Sequence, residues 1–196
     1  MVYFQKRGLK GRDFIMKALI NIDYTNDFVA DDGALTSGKP GQAIHDKIVE
    51  LTKAFHQSGD FVVFAIDKHV EGDTYHPESK VFPPHNIDGT EGRLLYGDLE
   101  EVYQSIKEDR HVYYTDKTRF SAFQGTDLEL KLRERNISEL HLVGVVTDIC
   151  ILHTAVEAFN KGFNVVVHKE GVASFNEAGH EWALSHFTDT LGFEVR

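Results

Sequence analysis

Cys150 is the single cysteine of this 196-residue chain. It follows Val145-Val146-Thr147-Asp148-Ile149, where an apolar, strand-like run gives way to a helix-like pattern. A thiol in the first turn of a helix faces unpaired backbone N–H groups and the positive end of the helix dipole. Both favour the thiolate and lower the thiol pKa, and the same amides can receive an oxyanion. One cysteine cannot form an internal disulfide and has no second thiol to resolve a redox intermediate. The chemistry it offers is nucleophilic catalysis; the plain alternative is a buried structural thiol. The nucleophilic reading needs a base and a cation within reach. Asp23 ends the apolar run Lys17–Asp23, where desolvation should raise its pKa and let it accept a thiol proton. Lys117, at the end of another strand-like run, would hold the thiolate by its charge.

A second group lies in the middle of the chain. Asp67, His69, Glu78 and His85 place two imidazoles and two carboxylates within nineteen positions. This mixed nitrogen and oxygen set suits a borderline divalent ion, zinc first, with manganese or iron as alternatives. Strand alternation puts Asp67 and His69 on one face. Spacing alone leaves open a polar loop that meets only solvent, and His76 is close enough to be an alternative ligand.

From Lys17 onward, the elements that must position these groups alternate between strand-like and helix-like patterns. Lys17–Asp23 and Phe61–Ile66 are short apolar runs typical of buried parallel strands. His111–Thr115, Leu140–Val146, Asn164–His168 and Phe193–Val195 predict four more. Gly41–Gly59 carries Ile44, Ile48, Leu51 and Phe55 at helical spacing, with Gly59 as a stop signal. Thr126 with Glu129, and Ser174 with Glu177, read as capping boxes that open helices reaching Arg135 and Thr190. Ile149, Leu152, Val156 and Phe159 line one face of a helix that ends near Gly162. The stretch from Lys68 to Asp98 is irregular, and a loop of that length in a compact domain is usually functional.

The alternation predicts an α/β fold, a single-domain doubly wound parallel sheet with helices on both faces. Ligands of such sheets bind at the carboxyl ends of the strands. Asp23, Asp67, Lys117 and Cys150 all fall at or just past such ends, and that convergence carries the functional reading.

Composition bounds the rest. With 41% apolar and 27% charged residues, the chain is an ordinary globular sequence, long enough to bury about 70% of its unfolded surface. Lysine and arginine total 21 against 31 acidic residues, a net charge of −10 that disfavours nucleic acid and anionic membrane surfaces. No apolar run is long enough to span a bilayer. The lone cysteine points to a reducing, cytoplasmic compartment. Residues 1–15 are locally basic, with Lys6, Arg7, Lys10 and Arg12 against Asp13. They read as a disordered extension, with the folded domain at 16–196.

With these residues in place, the chain resembles the isochorismatase-like cysteine hydrolases, and within them the bacterial nicotinamidases. The resemblance rests on Ala18-Leu-Ile-Asn-Ile-Asp-Tyr-Thr-Asn-Asp-Phe28, Asp67-Lys-His69, His76-Pro-Glu-Ser-Lys-Val-Phe-Pro-Pro-His85, Lys117 and Gly144-Val-Val-Thr-Asp-Ile-Cys150, and runs in order from Met16 to the end. It implies Asp23 as general base, Lys117 as charge partner and Cys150 as nucleophile. It also implies a cis peptide between Val145 and Val146, with the amides of Val146 and Cys150 as the oxyanion hole. The ligand set becomes Asp67, His69, Glu78 and His85, holding one divalent ion, most simply zinc, that takes the pyridine nitrogen. Phe28, Phe82 and Phe120 fall where the family stacks rings around nicotinamide, against the bland reading of core packing. The implied reaction converts nicotinamide to nicotinic acid and ammonia through a thioester, in NAD salvage. The implied partners are that small molecule and further copies of the chain as a homo-oligomer, with no nucleic acid and no membrane.

Two rivals predict different observations. Another amide or ether hydrolase on this scaffold would need no metal set. A non-catalytic metal or small-ligand binding protein would hold metal without releasing ammonia.

Overall fold

The computed structural model describes residues 16–196, so the expected disordered extension at 1–15 lies outside the described residues. Among the described residues, six strands form one wholly parallel sheet. They are β1 (Lys17–Ile22), β2 (Phe61–Asp67), β3 (Val112–Lys117), β4 (Glu139–Val145), β5 (Asn164–Ala173) and β6 (Glu194–Val195), in the spatial order β3-β2-β1-β4-β5-β6. The chain therefore winds outward from β1 in one direction, returns, and winds outward from β4 in the other. That order creates a crevice between β1 and β4 at their carboxyl ends.

The period of two within each strand separates two cores. Ala18, Ile20, Ile22, Val63, Ala65, Leu140 and Leu142 face one side, with Leu128, Leu132, Ala155, Ala158, Ala183 and Phe187 from α5 (Leu128–Glu134), α6 (Leu152–Asn160) and α7 (Glu177–Asp189). Leu19, Val62, Phe64, Ile66 and Val143 face the other, with Ile48, Leu51, Leu99 and Val102 from α3 (His45–Ser58) and α4 (Asp98–Ile106). Burial on both faces explains why these strands read as continuous apolar runs.

At the crevice β1 and β4 come very close. Gly144 pairs with Ile22, has φ of 120°, and a Cβ built on it would lie 2.0 Å from the Ile22 carbonyl oxygen. Only glycine fits there.

The structure departs from the sequence reading at several boundaries. Helix α3 starts at His45, with two short helices, α1 (Asn26–Val29) and α2 (Gly38–Ala43), ahead of it. The irregular stretch after β2 gives way at Asp98 to α4, which the sequence reading did not mark. Its acidic first turn (Asp98, Glu100, Glu101) was a legible start signal. Strand β5 runs five residues beyond His168, to Ala173. Neither capping box forms: α5 follows Asp127, and α7 is capped by the Asn176 side chain, which accepts from Gly179 N at 3.1 Å. Ser174 is instead engaged by Asp148, as described below.

Candidate active site and metal centre

Lys117 is the hub of the site. Its ammonium is fully buried at the end of β3, where it stands beside Asp67 in the β2–β3 register. Lys117 Nζ lies 2.7 Å from Asp23 Oδ2 and 3.3 Å from Asp67 Oδ1. It also donates to the Arg119 carbonyl at 3.1 Å and lies 3.7 Å from Cys150 Sγ. Burying a cation costs several kcal/mol unless it is paired, and two carboxylates supply the pairing. Burial alone would lower the Lys117 pKa, but Asp23 and Asp67 hold it well above the ordinary lysine value.

Asp23 reaches this cation because the backbone bends sharply after β1. Its φ of 55° is rare for a residue with a side chain, and such strain gathers at functional sites. Oδ1 accepts a 2.7 Å hydrogen bond from Asp67 N, which ties the ends of β1 and β2 together. Oδ2 is buried and takes no hydrogen bond of acceptable angle, so its 2.7 Å contact with Lys117 is an ion pair that leaves a lone pair free. Cys150 is the remaining polar neighbour of this carboxylate. Burial, opposed by Lys117, raises the Asp23 pKa to about 6. The expected desolvation effect is present.

Cys150 sits on a π-helical turn, Thr147–Ile151, between β4 and α6, rather than in a regular first helical turn. Such single π turns often occur at functional sites. Its thiol pKa is opposite to expectation. Burial pushes it well up, Lys117 opposes this, and the negative charges of Asp23 and Asp67 add to the rise. These causes favour the protonated thiol over the thiolate. The peptide between Val145 and Val146 is cis, as the resemblance implied.

The turn is clamped from outside. Thr147 Oγ1 lies 2.9 Å from His180 Nδ1, and Ser174 Oγ donates to Asp148 Oδ1 at 2.7 Å. Asp148 Oδ2 occupies the space beside Gly179 where a Cβ would stand at 2.0 Å. The acidic side chain thus packs on the first turn of α7, where helix polarity favours it. Reading Ser174 only as a cap concealed this clamp.

The four predicted metal ligands come together. Asp67, His69, Glu78 and His85 are all buried, and one ligand atom from each lies within 4.8 Å of the others. Asp67 Oδ2 is 3.0 Å from His69 Nε2 and 3.5 Å from His85 Nε2, while Glu78 Oε2 is 3.6 Å from His85 Nε2. His85 Nδ1 donates to the Pro83 carbonyl at 2.8 Å, which leaves the Nε2 lone pair facing the cluster. His85 Nε2 and Glu78 Oε1 are buried without hydrogen-bond partners. Burial would lower the His85 pKa, yet Asp67 and Glu78 raise it to about 10. A nitrogen that attracts a proton so strongly also suits a dication, so the residues fit a divalent metal. Asp67 is held well below the usual carboxylate range: burial works against this, and Lys117, His69 and His85 overcome it.

His76 is not a fifth donor. Its Nδ1 accepts from Glu78 N at 3.3 Å and its Nε2 donates to the Thr118 carbonyl at 2.7 Å, so both nitrogens are engaged. Phe28 and Phe82 border the cluster, whereas Phe120 stands behind Phe82 and next to His153. The Phe28 and His85 ring centroids are 5.2 Å apart, Phe82 and His85 6.2 Å, and Phe82 and Phe120 6.4 Å. Phe82, His69, Glu78 and His85 share a cavity of about 190 Å³.

Comparison with known proteins converges on one family. The isochorismatase domain matches residues 17–194. A Bacillus subtilis (strain 168) protein, described as uncharacterized isochorismatase family protein PncA, is 65% identical over 179 residues, 91% of this chain and 98% of that protein. The crystal structure of nicotinamidase/pyrazinamidase PncA from Bacillus subtilis superposes with a TM-score of 0.91 at 62% identity, covering 92% of this chain and 98% of that one. Pyrazinamidase of Pyrococcus horikoshii, solved in complex with zinc, superposes with a TM-score of 0.79 at 26% identity, covering 92% and 98%.

Proposed function

Because this chain belongs to the isochorismatase family, we propose that it is a nicotinamidase, hydrolysing nicotinamide to nicotinic acid and ammonia through a thioester on Cys150. The observation that carries this reading is Lys117, which contacts Asp23, Asp67 and Cys150 at once. A cation shared by a base and a thiol supports acyl transfer, and a carboxylate shared with a cluster of metal donors supports a ring-binding site beside it.

Asp23 takes the Cys150 proton as the sulfur attacks the carboxamide carbon. Lys117 limits the negative charge that collects as the proton moves. The tetrahedral oxyanion rests on the Val146 and Cys150 amides. Asp23 then returns its proton to the departing nitrogen, the C–N bond breaks, and ammonia leaves an acyl-enzyme. The same carboxylate deprotonates water, which cleaves the thioester to nicotinic acid and restores the thiol. A carboxyl whose pKa lies about 6 can both accept and return a proton near neutral pH.

Asp67, His69, Glu78 and His85 would hold a divalent ion, most simply zinc, supplying a Lewis-acid contact that anchors the pyridine nitrogen. Phe28, Phe82 and Phe120 confine the ring by edge and face contacts. Nicotinic acid as product fits a role in NAD salvage, and the lone cysteine fits a reducing, cytoplasmic compartment.

A coupled ammonia assay with nicotinamide tests the reading. Release by the wild-type protein and none by Cys150→Ala is the expected result. Equal release by both overturns the cysteine mechanism, and none from either overturns the activity.

A further inference from the structure

Arg93 lies in the long segment between β2 and α4, at the end of a short 3₁₀ turn, Glu91–Arg93, where no sequence motif marks it. Its side chain is 13% exposed and reaches back to the sheet. Nε donates to the Asp67 carbonyl at 2.8 Å, and Nη2 donates to the Ile66 carbonyl at 3.4 Å and to the Asp116 carboxylate. The guanidinium also lies over the Tyr114 ring, 5.6 Å from its centroid.

These partners are the last residues of two adjacent strands. Ile66 pairs with Asp116, and Asp67 pairs with Lys117. Strand alternation sorts their side chains. Ala65 and Tyr113 belong to the α5–α7 face, so Asp67 and Lys117 continue that face. Ile66 and Tyr114 belong to the α3–α4 face, and Asp116 continues it. Arg93 therefore grips the two strand ends from behind, on the side opposite the Asp67 and Lys117 side chains. A planar guanidinium can bind carbonyl and carboxylate oxygens in fixed directions at once; a lysine ammonium cannot reproduce that fork.

We propose that Arg93 is a positioning residue, one that fixes the spacing between Asp67 and Lys117 by joining the carboxyl ends of β2 and β3. The inference rests on the roles given above to Asp67 and Lys117. It extends them to a residue that touches neither the substrate nor the metal donors' side chains.

Zinc binding by the whole protein, without substrate, is the test. Arg93→Ala and Arg93→Lys should each weaken zinc affinity about tenfold or more, the scale seen when supporting contacts around metal ligands are lost. Methylguanidine should restore affinity to Arg93→Ala, entering the groove of about 390 Å³ that Arg93 shares with Leu95, Tyr103 and Tyr114. Methylammonium should not. If Arg93→Ala melts earlier yet binds zinc as tightly as wild type, Arg93 is only a loop tether and the proposal is wrong. Should Arg93→Ala fail to fold, Arg93→Lys decides, and wild-type zinc affinity there also overturns it. Failure of wild-type protein to hydrolyse nicotinamide would count against the activity but leave this titration intact.

Discussion

Lys117 Nζ and Asp23 Oδ2 stand 2.7 Å apart, with both side chains fully withdrawn from solvent. Removing one partner of such a pair strands the other as an uncompensated buried charge. We expect Lys117→Met to destabilise the fold by about 3–5 kcal/mol in urea unfolding. Adding Asp23→Asn should recover part of that loss, leaving the share due to Asp67. A Lys117→Met protein as stable as wild type would show that the pair is not a buried ion pair in solution.

Cys150 and Asp23 differ in what their loss should do to the thiol. Cys150→Ala removes one buried sulfur atom and leaves the Cβ in place, so folding should persist while turnover falls to background. Asp23→Asn should lower kcat by about 10²–10⁴, the range for a lost general base. It should also lower the Cys150 pKa, because Asp23 now raises it and Lys117 would act unopposed. Iodoacetamide alkylation should therefore begin at lower pH in Asp23→Asn than in wild type. Alkylation profiles that coincide would remove Asp23 from the vicinity of the thiol.

The pH dependence of catalysis follows from the Asp23 carboxyl, whose pKa is raised to about 6. The base must be ionised to act, so kcat/KM should rise with pH through about 6 and level off above it. The midpoint belongs to the Asp23–Lys117–Cys150 group as a unit. A profile flat from pH 5 to 8 would place the base elsewhere.

Metal removal should separate ring binding from thiol chemistry. Chelation should abolish nicotinamide hydrolysis and zinc should restore it, while Cys150 keeps its alkylation rate to within about twofold, since attack geometry and nucleophile activation are distinct requirements. Benzamide, lacking the ring nitrogen, should be a far poorer substrate than nicotinamide. Equal turnover of the two would end the positioning role assigned to the cluster.

Far from the active site, a histidine pair sets an acid limit. His168 Nε2 lies 2.8 Å from His141 Nδ1, His141 Nε2 lies 3.0 Å from Glu139, and Arg196 Nη2 lies 3.2 Å from His141 Nδ1. Burial, with His141, Arg196 and Lys47 nearby, lowers the His168 pKa from 6.5 to about 4. The unfolded chain thus takes up the proton first. Stability should be complete above pH 6.5 and fall toward pH 4, by on the order of 2 kcal/mol after allowance for solvent screening. His168→Gln should flatten that segment of the stability curve; an unchanged slope would clear His168 of the effect.

The sheet and the reactive side chains were legible because local signals agreed with global ones. Val62–Ile66 is apolar without a break and Leu140–Val145 is broken only by His141 and Gly144, as suits strands covered on both faces. Asp23 and Asp67 were visible because a charge ending an apolar run is conspicuous, and Lys117 because it closes the next strand-like run. Other features were not local. Thr126 and Ser174 match capping boxes, yet the Ser174 hydroxyl is claimed by Asp148, which arrives from the π-helical turn after β4. The rise in the Cys150 pKa could not be read from a helix-start pattern, because it depends on burial and on carboxylates 127 and 83 positions upstream, at Asp23 and Asp67. Arg93 is invisible for the same reason, since its partners lie two dozen residues before and after it.

The missing side chain at Gly144 bears on what selection can alter in this protein. The gap between the strand bearing Asp23 and the strand leading to Cys150 is set by backbone touching backbone, at a position where any Cβ would meet the Ile22 carbonyl. The separation of the proposed base from the proposed nucleophile is thus inherited with the architecture, fixed by main chain before any side chain is chosen.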